Sequence, residues 1–303
     1  MQSAVVIKHS IGQDAPELVT VALTYPRFIH AEFMTHRRFS RNAASSRAIP
    51  FLRMLADIRA NMALPAEWRM EESGMQGWTK AGDEQVRQGE AIVRDMFEHA
   101  AKGAADLADL GFHKQHVNRY LEPYQHIRTL VTTSLTQNFF GLRDHGDADP
   151  TIAALAVAWK DALANSKPQH LRDGEWHLPY IDGAVDYDRA ADWFYAKHGR
   201  VISGPELLET LKKISAARCA RVSYVGHDGK PTSIDADFKL FERLITADLI
   251  HASPTEHQAK PDFLLRKGEK PRWMNPERHG NLWGWQQHRK FIANEDLDFP
   301  IAA

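Results

Sequence analysis

A single cysteine, Cys219, occurs in 303 residues, so no disulfide can form within the chain and a reducing, cytoplasmic setting is expected. No apolar run approaches the length that crosses a bilayer, and the opening segment Met1–Lys8 is too short and too soon polar for a secretory signal, so no membrane partner is expected. Excess charge of either sign is missing too: 38 lysines and arginines meet 39 acidic residues, leaving a formal net charge of -1. A chain so balanced carries no general field for nucleic acid, and any anion site must be local. There is no glycine-rich phosphate loop, no Gly-x-Ser-x-Gly elbow and no Gly-x-Gly-x-x-Gly after the first strand-like run. Sixteen histidines are present, but His113-x-x-His116 and His251…His257 fall short of the His-Glu-x-x-His and Cys/His patterns that mark zinc, so no metal is expected. No short repeat and no low-complexity segment interrupts the chain.

What is present is concentrated in Thr35–Arg47. Its thirteen residues hold four arginines, one histidine, three serines and one asparagine, with no acid among them. Cations at this density repel one another. A bound phosphate would relieve the repulsion, because guanidinium groups and hydroxyls together match phosphate oxygens. A solvated basic turn is the competing reading from composition alone.

Around this stretch the chain reads as mostly helical with at least one strand pair, hence α+β: an antiparallel sheet with long helices. Leu18–Tyr25 alternates and is β-branched, which predicts a strand closed by Pro26. Helical spacing predicts short helices at 28–35 and after Pro50, and a long amphipathic helix over 83–110 stopped by Gly111. Further helices are expected over 114–142, bent near Pro123, and over 150–163, 190–198, 204–220 and 235–250, with a last one over 281–292. The Pro-, Gly-, Asp- and His-rich segment 166–187 reads as a connection between a half at 1–165 and a second half at 188–303 packed into the same domain.

Three further constellations could carry chemistry. Arg119 and Arg143 lie twenty-four residues apart, a spacing that could place both on one side of the expected helical region if the bend at Pro123 permits, and each, if buried, needs an acid, such as Glu122 or Asp144, or a bound anion. The small-residue run Ala216–Tyr224 suggests close packing, with Cys219 a buried hydrophobe and not a nucleophile. In His251–His257, Ser253 is placed to cap a helix opening at Pro254, with Glu256 in its first turn.

These residues together resemble the flavin-dependent thymidylate synthases. His36-Arg37 followed by Ser40-x-Asn42-x-x-Ser45-x-Arg47 is similar to that family's Arg-His-Arg…Ser signature. Arg119 with Leu121 and Pro123 resembles its substrate-contacting arginine and Leu-Pro, and Asn138-Phe139-x-x-Leu142-Arg143 its later Asn-Phe segment. Asp149–Ile152 falls where the family has Gln-x-Glu-Ile, and Ala220–Tyr224 and His251-x-Ser253-Pro254-x-Glu256-His257 resemble two motifs that contact flavin. Two departures stand out. The last two motifs follow the basic signature here instead of preceding it, as in a circular permutation or a fused, rearranged duplication. Thr35 replaces the first arginine of the signature, Ala43 a glutamate, Glu32 a glutamine and Asp147 a histidine. The tail Gly284–Lys290 loosely echoes the signature, and Arg289 could supply the cation that Thr35 does not.

The resemblance implies C5 methylation of dUMP to dTMP with FAD, methylenetetrahydrofolate as carbon donor and NADPH as reductant, in a homo-oligomer (tetramer or dimer). It assigns catalysis to Arg119 and Ser45. The deoxypyrimidine monophosphate falls to Ser45, Arg47, Arg119, Arg143 and Glu32, and flavin to His36, Arg37, Asn138, Ser223, His251, Ser253, Glu256 and Arg289. The chemistry agrees on independent grounds. Methylating uracil at C5 requires a nucleophilic carbon, and a lone packed cysteine argues against the route through a thiolate adduct. The other route polarises the ring with arginines and draws a hydride from flavin. Two alternatives remain: hydroxymethylation or another rearrangement of the same nucleotide class, and a non-catalytic nucleotide- or nucleic-acid-binding protein.

Overall fold

The β-branched run predicted as a strand is the spine of a five-stranded sheet. The computed structural model describes residues 2–223, 232–245, 250–266, 270–293 and 295. Strands β1 (Ser3–Ile11), β2 (Leu18–Pro26), β3 (Ser40–Ala43), β4 (His126–Thr133) and β5 (Gln169–His170) lie in the order β3-β4-β2-β1-β5. All pairings are antiparallel except that of β1 with the two-residue β5. Leu-Val-Thr-Val-Ala-Leu-Thr-Tyr on β2 is buried almost throughout, as a central strand covered on both faces must be.

The alternation of β2 and β4 sends two residue sets to two different layers. Val19, Val21, Leu23 and Tyr25, with Ile127 and Val131, face an aromatic core of Phe33, Phe39, Phe139 and Trp159. That core is carried by α1 (His30–Phe33), the short turn before β3, α5 (Gln137–Arg143) and α6 (Pro150–Ala164). Ala22 and Leu130 face the other way, onto Cys219 and Val222 at the end of α8 (Gly204–Arg221). Asp149 caps α6, its carboxylate accepting from the amides of Thr151 and Ile152, with Pro150 in the first turn.

A second packing unit forms beside the sheet. Helix α2 (Phe51–Ala60) and the 27-residue α3 (Asp83–Asp109) close over the short α4 (Lys114–Val117) and the 3-10 segment Asn118–Tyr124. On the α8 side, α7 (Gly183–His198) and α9 (Ile234–Ile245) pack around a buried charge cluster. Arg218 donates to both carboxylate oxygens of Asp186 (2.7 and 2.8 Å) and to Asp237 (3.2 Å), while Arg221 holds the other Asp237 oxygen at 2.9 Å. Two short ladders end the chain: β6 (Ala259–Pro261) pairs with β9 (Trp285–Gln287), and β7 (Leu264–Leu265) with β8 (Arg272–Trp273). Buried Asp262 ties this segment together by accepting from Asn275, His279 and Gln286. Gly284 is left-handed (φ +83°) and has no room for a side chain against Pro16.

Several sequence expectations are revised. The stretch 114–142 is not one bent helix: after the 3-10 segment it becomes β4, whose Ile127-Arg128-Thr129-Leu130-Val131-Thr132-Thr133 run is β-branched and pairs on both edges. The tail 281–292 is a strand and a 3-10 turn, not a helix, because Trp285 must bury beside Leu282 with its indole donating to the Pro16 carbonyl. Ser253 opens a 3-10 turn and caps nothing with its side chain. Helix α9 replaces the expected 235–250 helix as far as Ile245; 246–249 and Tyr224 lie outside the described residues. Among the described residues no helix is long and apolar enough to cross a membrane.

Candidate functional site

Strand β3 runs along the sheet edge and delivers the second half of the basic stretch to the end of α8. The Ser45 amide donates to the Ser223 carbonyl at 3.4 Å, joining two segments distant in sequence. Beside them open α4, with its capping His113, and the segment after α9, where the His251 amide bonds the Leu244 carbonyl at 2.8 Å. The result is a cleft of about 420 Å³. Its polar lining comprises Asn42, Ser45, Arg47, His113, Gln115, Ser223, His251 and Ser253, and its apolar lining Ala48, Ala220, Leu244 and Pro254.

Among the described residues no carboxylate lines this cleft. It offers one guanidinium, two imidazoles, three hydroxyls and two amides, a donor-rich set suited to an anion with further polar edges. Its volume falls at the lower end of the ~300–1,000 Å³ typical of small-molecule sites. A second cleft, of about 580 Å³, has the opposite character: Glu32, Glu67, Asp147 and Asp149 line it alongside Arg69 and Arg143. Size therefore favours the second cleft and charge the first. For a phosphate ligand charge decides: in the second cleft four carboxylates outnumber two guanidiniums, and both guanidiniums are already engaged, Arg143 by Glu32 and Arg69 by Glu67.

The residues that the resemblance assigned divide among several surroundings. Ser45, Arg47, Ser223, His251 and Ser253 share the donor-rich cleft. Arg119 is exposed beside it, its Nε donating at 3.2 Å to the carbonyl of Gln115, which lines the cleft. Glu122, one acid considered for Arg119, instead pairs with Arg27 at 3.0 Å and accepts from Ser46, while Asp144 pairs with Lys160. Arg143 and Glu32 form an ion pair at the acidic cleft. Thr35 turns its hydroxyl onto the Glu32 carbonyl at 2.7 Å.

His36 is buried within the aromatic core, stacked on Phe39 with centroids 5.8 Å apart and edge-on to Phe139 at 4.9 Å. Burial, aided by the nearby Arg143 and Arg41 charges, lowers its pKa to about 4, so it is a neutral acceptor near pH 7. Arg37 and Asn138 are exposed. Glu256 accepts from Arg289 at 2.5 Å, and Arg289 also holds Glu295 at 2.6 Å, so the tail's cation is matched by two acids. Of the flavin residues implied by resemblance, Ser223, His251 and Ser253 face one cavity and the other five are spread over separate surroundings.

Asn42, His113 and Gln115 also line the cleft, although the motif resemblance gives none of them a ligand. Asn42 carries a signal as part of the basic stretch; His113 has only its spacing from His116, and Gln115 has none. Among the described residues no group of three His, Cys, Asp or Glu could hold a metal ion.

No family model matches this chain, and no curated protein matches it. Among solved structures, two crystal structures of PolB, a UMP/dUMP methylase from Streptomyces cacaoi, align with it. The complex with 5-Br dUMP gives a TM-score of 0.46 and the one with 5-Br UMP 0.45, each at 15% identity over 54% of this chain. The alignments cover 90% and 89% of the PolB chains.

Proposed function

We propose that this chain is an enzyme that binds a deoxypyrimidine monophosphate in the donor-rich cleft and modifies its C5 carbon. One observation carries the reading: Ser45 and Arg47 from the basic stretch share a cleft, free of carboxylates among the described residues, with Ser223, His251 and Ser253 from the far half of the chain. Those are segments that the motif resemblance joins, and nothing in their sequence separation requires them to meet.

In this reading Arg47 and the Ser45 hydroxyl hold the phosphate. Asn42 and Gln115 meet the base edge with their amides, and Arg119, moored on the Gln115 carbonyl, swings its guanidinium over the ring to stabilise charge developing there. The proposed reaction is methylation of dUMP to dTMP, with FAD, NADPH and methylenetetrahydrofolate as the motif resemblance implies. Flavin would supply the hydride; Ser223 and His251 would hold the end of it that enters the cleft, leaving the Ser253 hydroxyl to the nucleotide. The same resemblance implies a homo-oligomer, tetramer or dimer.

Calorimetric titration with dUMP, UMP, dCMP and inorganic phosphate tests the site. Binding of dUMP that Arg47→Ala weakens supports it, and no binding of any of them sinks it. Flavin absorbance in the purified protein, or gained on adding FAD, tests the cofactor; a colourless protein that still binds dUMP would leave a non-catalytic nucleotide-binding protein. Mass analysis of the nucleotide after incubation with FAD, NADPH and methylenetetrahydrofolate distinguishes methylation from hydroxymethylation.

A further inference from the structure

A chain of buried hydrogen bonds crosses the sheet and ends at the cleft. Register sets Thr20 of β2 opposite Thr132 of β4, and their hydroxyls meet at 2.6 Å. On one side Thr20 bonds His177 Nε2 at 2.8 Å, and His177 Nδ1 bonds Ser10 at 2.9 Å. On the other, Thr132 bonds His257 Nδ1 at 2.8 Å, and His257 Nε2 bonds Asn42 Oδ1 at 2.8 Å. The Asn42 amide nitrogen then faces Ser253 Oγ at 3.4 Å, and both Asn42 and Ser253 line the cleft.

Each hydroxyl and each neutral imidazole along this path gives one hydrogen and accepts one, so the chain runs in a single sense from end to end. Its far end decides which. Ser10 is inaccessible to solvent, and His177 is its only side-chain partner among the described residues. Reversed, the chain would leave the Ser10 hydroxyl hydrogen buried without an acceptor, at a cost of about 1–3 kcal/mol. Ser10 therefore donates to His177 Nδ1, both histidines carry their proton on Nε2, and Asn42 turns its carbonyl inward and its NH2 toward Ser253. Burial keeps both rings neutral, lowering the His257 pKa to about 3 and that of His177 well below its ordinary value.

We propose that His257 is a positioning residue for the cleft: by fixing the Asn42 amide it makes Ser253 Oγ an acceptor on the protein side and frees the Ser253 hydroxyl to donate to an oxygen of the bound nucleotide. The ligand in this statement rests on the function proposed above; the sense of the chain does not.

Two measurements test it on the full chain. Nitrogen-15 NMR of histidine-labelled, ligand-free protein should find His177 and His257 neutral with the proton on Nε2, and a proton on Nδ1 of either ring overturns the proposal. Titration with dUMP then reads the consequence. Ser253→Ala should weaken binding about tenfold, the size of removing one donor to a charged or carbonyl oxygen. His257→Leu should weaken it by a similar factor and have no further effect on a Ser253→Ala background. His257→Gln, whose amide can still donate to Asn42, should retain affinity within about threefold. Effects of His257→Leu and Ser253→Ala that multiply, or a His257→Leu protein with lowered thermal midpoint and unchanged dUMP affinity, would make His257 merely structural and overturn the proposal. If His257→Leu does not fold, Asn42→Ala is read in the same cycle with the same expectation. Wild-type protein that fails to bind dUMP defeats the nucleotide reading, and the positioning claim then stands or falls on the tautomers alone.

Discussion

Arg143 donates from Nε to Nε2 of His36 over 3.0 Å while its terminal nitrogen pairs with Glu32. Two residues that the motif resemblance sends to different ligands are thus bound to each other, with the imidazole inside the aromatic core. The bond needs His36 neutral, and its pKa of about 4 against an ordinary 6.5 gives this a pH signature. Between those values the unfolded chain takes up a proton that the folded chain refuses, so the His36 contribution to stability is complete above pH 6.5 and is lost as pH falls through about 4. His36→Gln keeps an acceptor for Arg143 but does not titrate. The stability difference between wild type and His36→Gln, from urea unfolding at pH 7 to 4, should therefore shift steadily against the wild type. A flat difference would refute the assignment.

For the cleft itself the expected losses differ by residue. Arg47→Ala should weaken dUMP binding by about tenfold or more, because a guanidinium–phosphate contact is among the stronger hydrogen bonds. Arg119→Ala should leave dUMP affinity within a few-fold and lower turnover by about tenfold or more, as expected for a group that matters when charge develops on the ring. Equal losses of affinity in both variants would mean that Arg119 is part of the phosphate site.

Cys219 offers a sharp negative control. It is fully buried, and burial raises its thiol pKa, so no thiolate is available near pH 7. Ellman's reagent should leave it unmodified in the folded protein and titrate one thiol in denaturant. Cys219→Ala should retain turnover. Loss of turnover with folding intact would restore a thiolate-adduct route.

The buried cluster on α8 governs stability and, through α8, the cleft wall. Arg218→Met would leave buried Asp186 with the Asp182 amide and a longer approach from Arg189 (3.6 Å), and would strand one oxygen of buried Asp237, which should cost about 3–5 kcal/mol in urea unfolding. Because α8 also carries Ala220 and leads to Ser223, the same variant should weaken dUMP binding before it unfolds. A loss below ~1 kcal/mol would mean that water reaches the two acids after the change.

Much of this architecture is legible in the sequence wherever one period runs without competition. Helices α3, α6 and α8 follow from apolar spacing with Pro150 and Pro205 in first turns, and α8 carries the Ser203–Glu206 capping box. β4 reads as helix because Ile127, Leu130 and Val131 also fit helical spacing; the β-branched Thr129-Leu130-Val131-Thr132-Thr133 run, not the period, holds the answer. Trp285 is in a strand because of what it packs on, which no local pattern records. Within the cleft, Ser45 and Arg47 are marked by local charge density, while Ser223, His251 and Ser253 stand out locally only as parts of a small-residue run and a capping pattern, and are given a ligand through family resemblance. Asn42 and His257 owe their roles to strand register and to a histidine arriving from the far half of the chain. That Arg143 turns to Glu32 and not to the cleft depends on tertiary approach alone.

The two walls of the cleft belong to segments that meet with little covalent connection between them: β3 and α4 on one side, the ends of α8 and α9 on the other. A ligand gripping both acts as a clasp, and its binding energy is added to the cohesion of the whole chain. At a concentration one hundredfold above its dissociation constant that amounts to about 2.7 kcal/mol. With the proposed nucleotide as that ligand, protease resistance and cellular lifetime would follow its supply, and the abundance of this protein would read out the size of that pool.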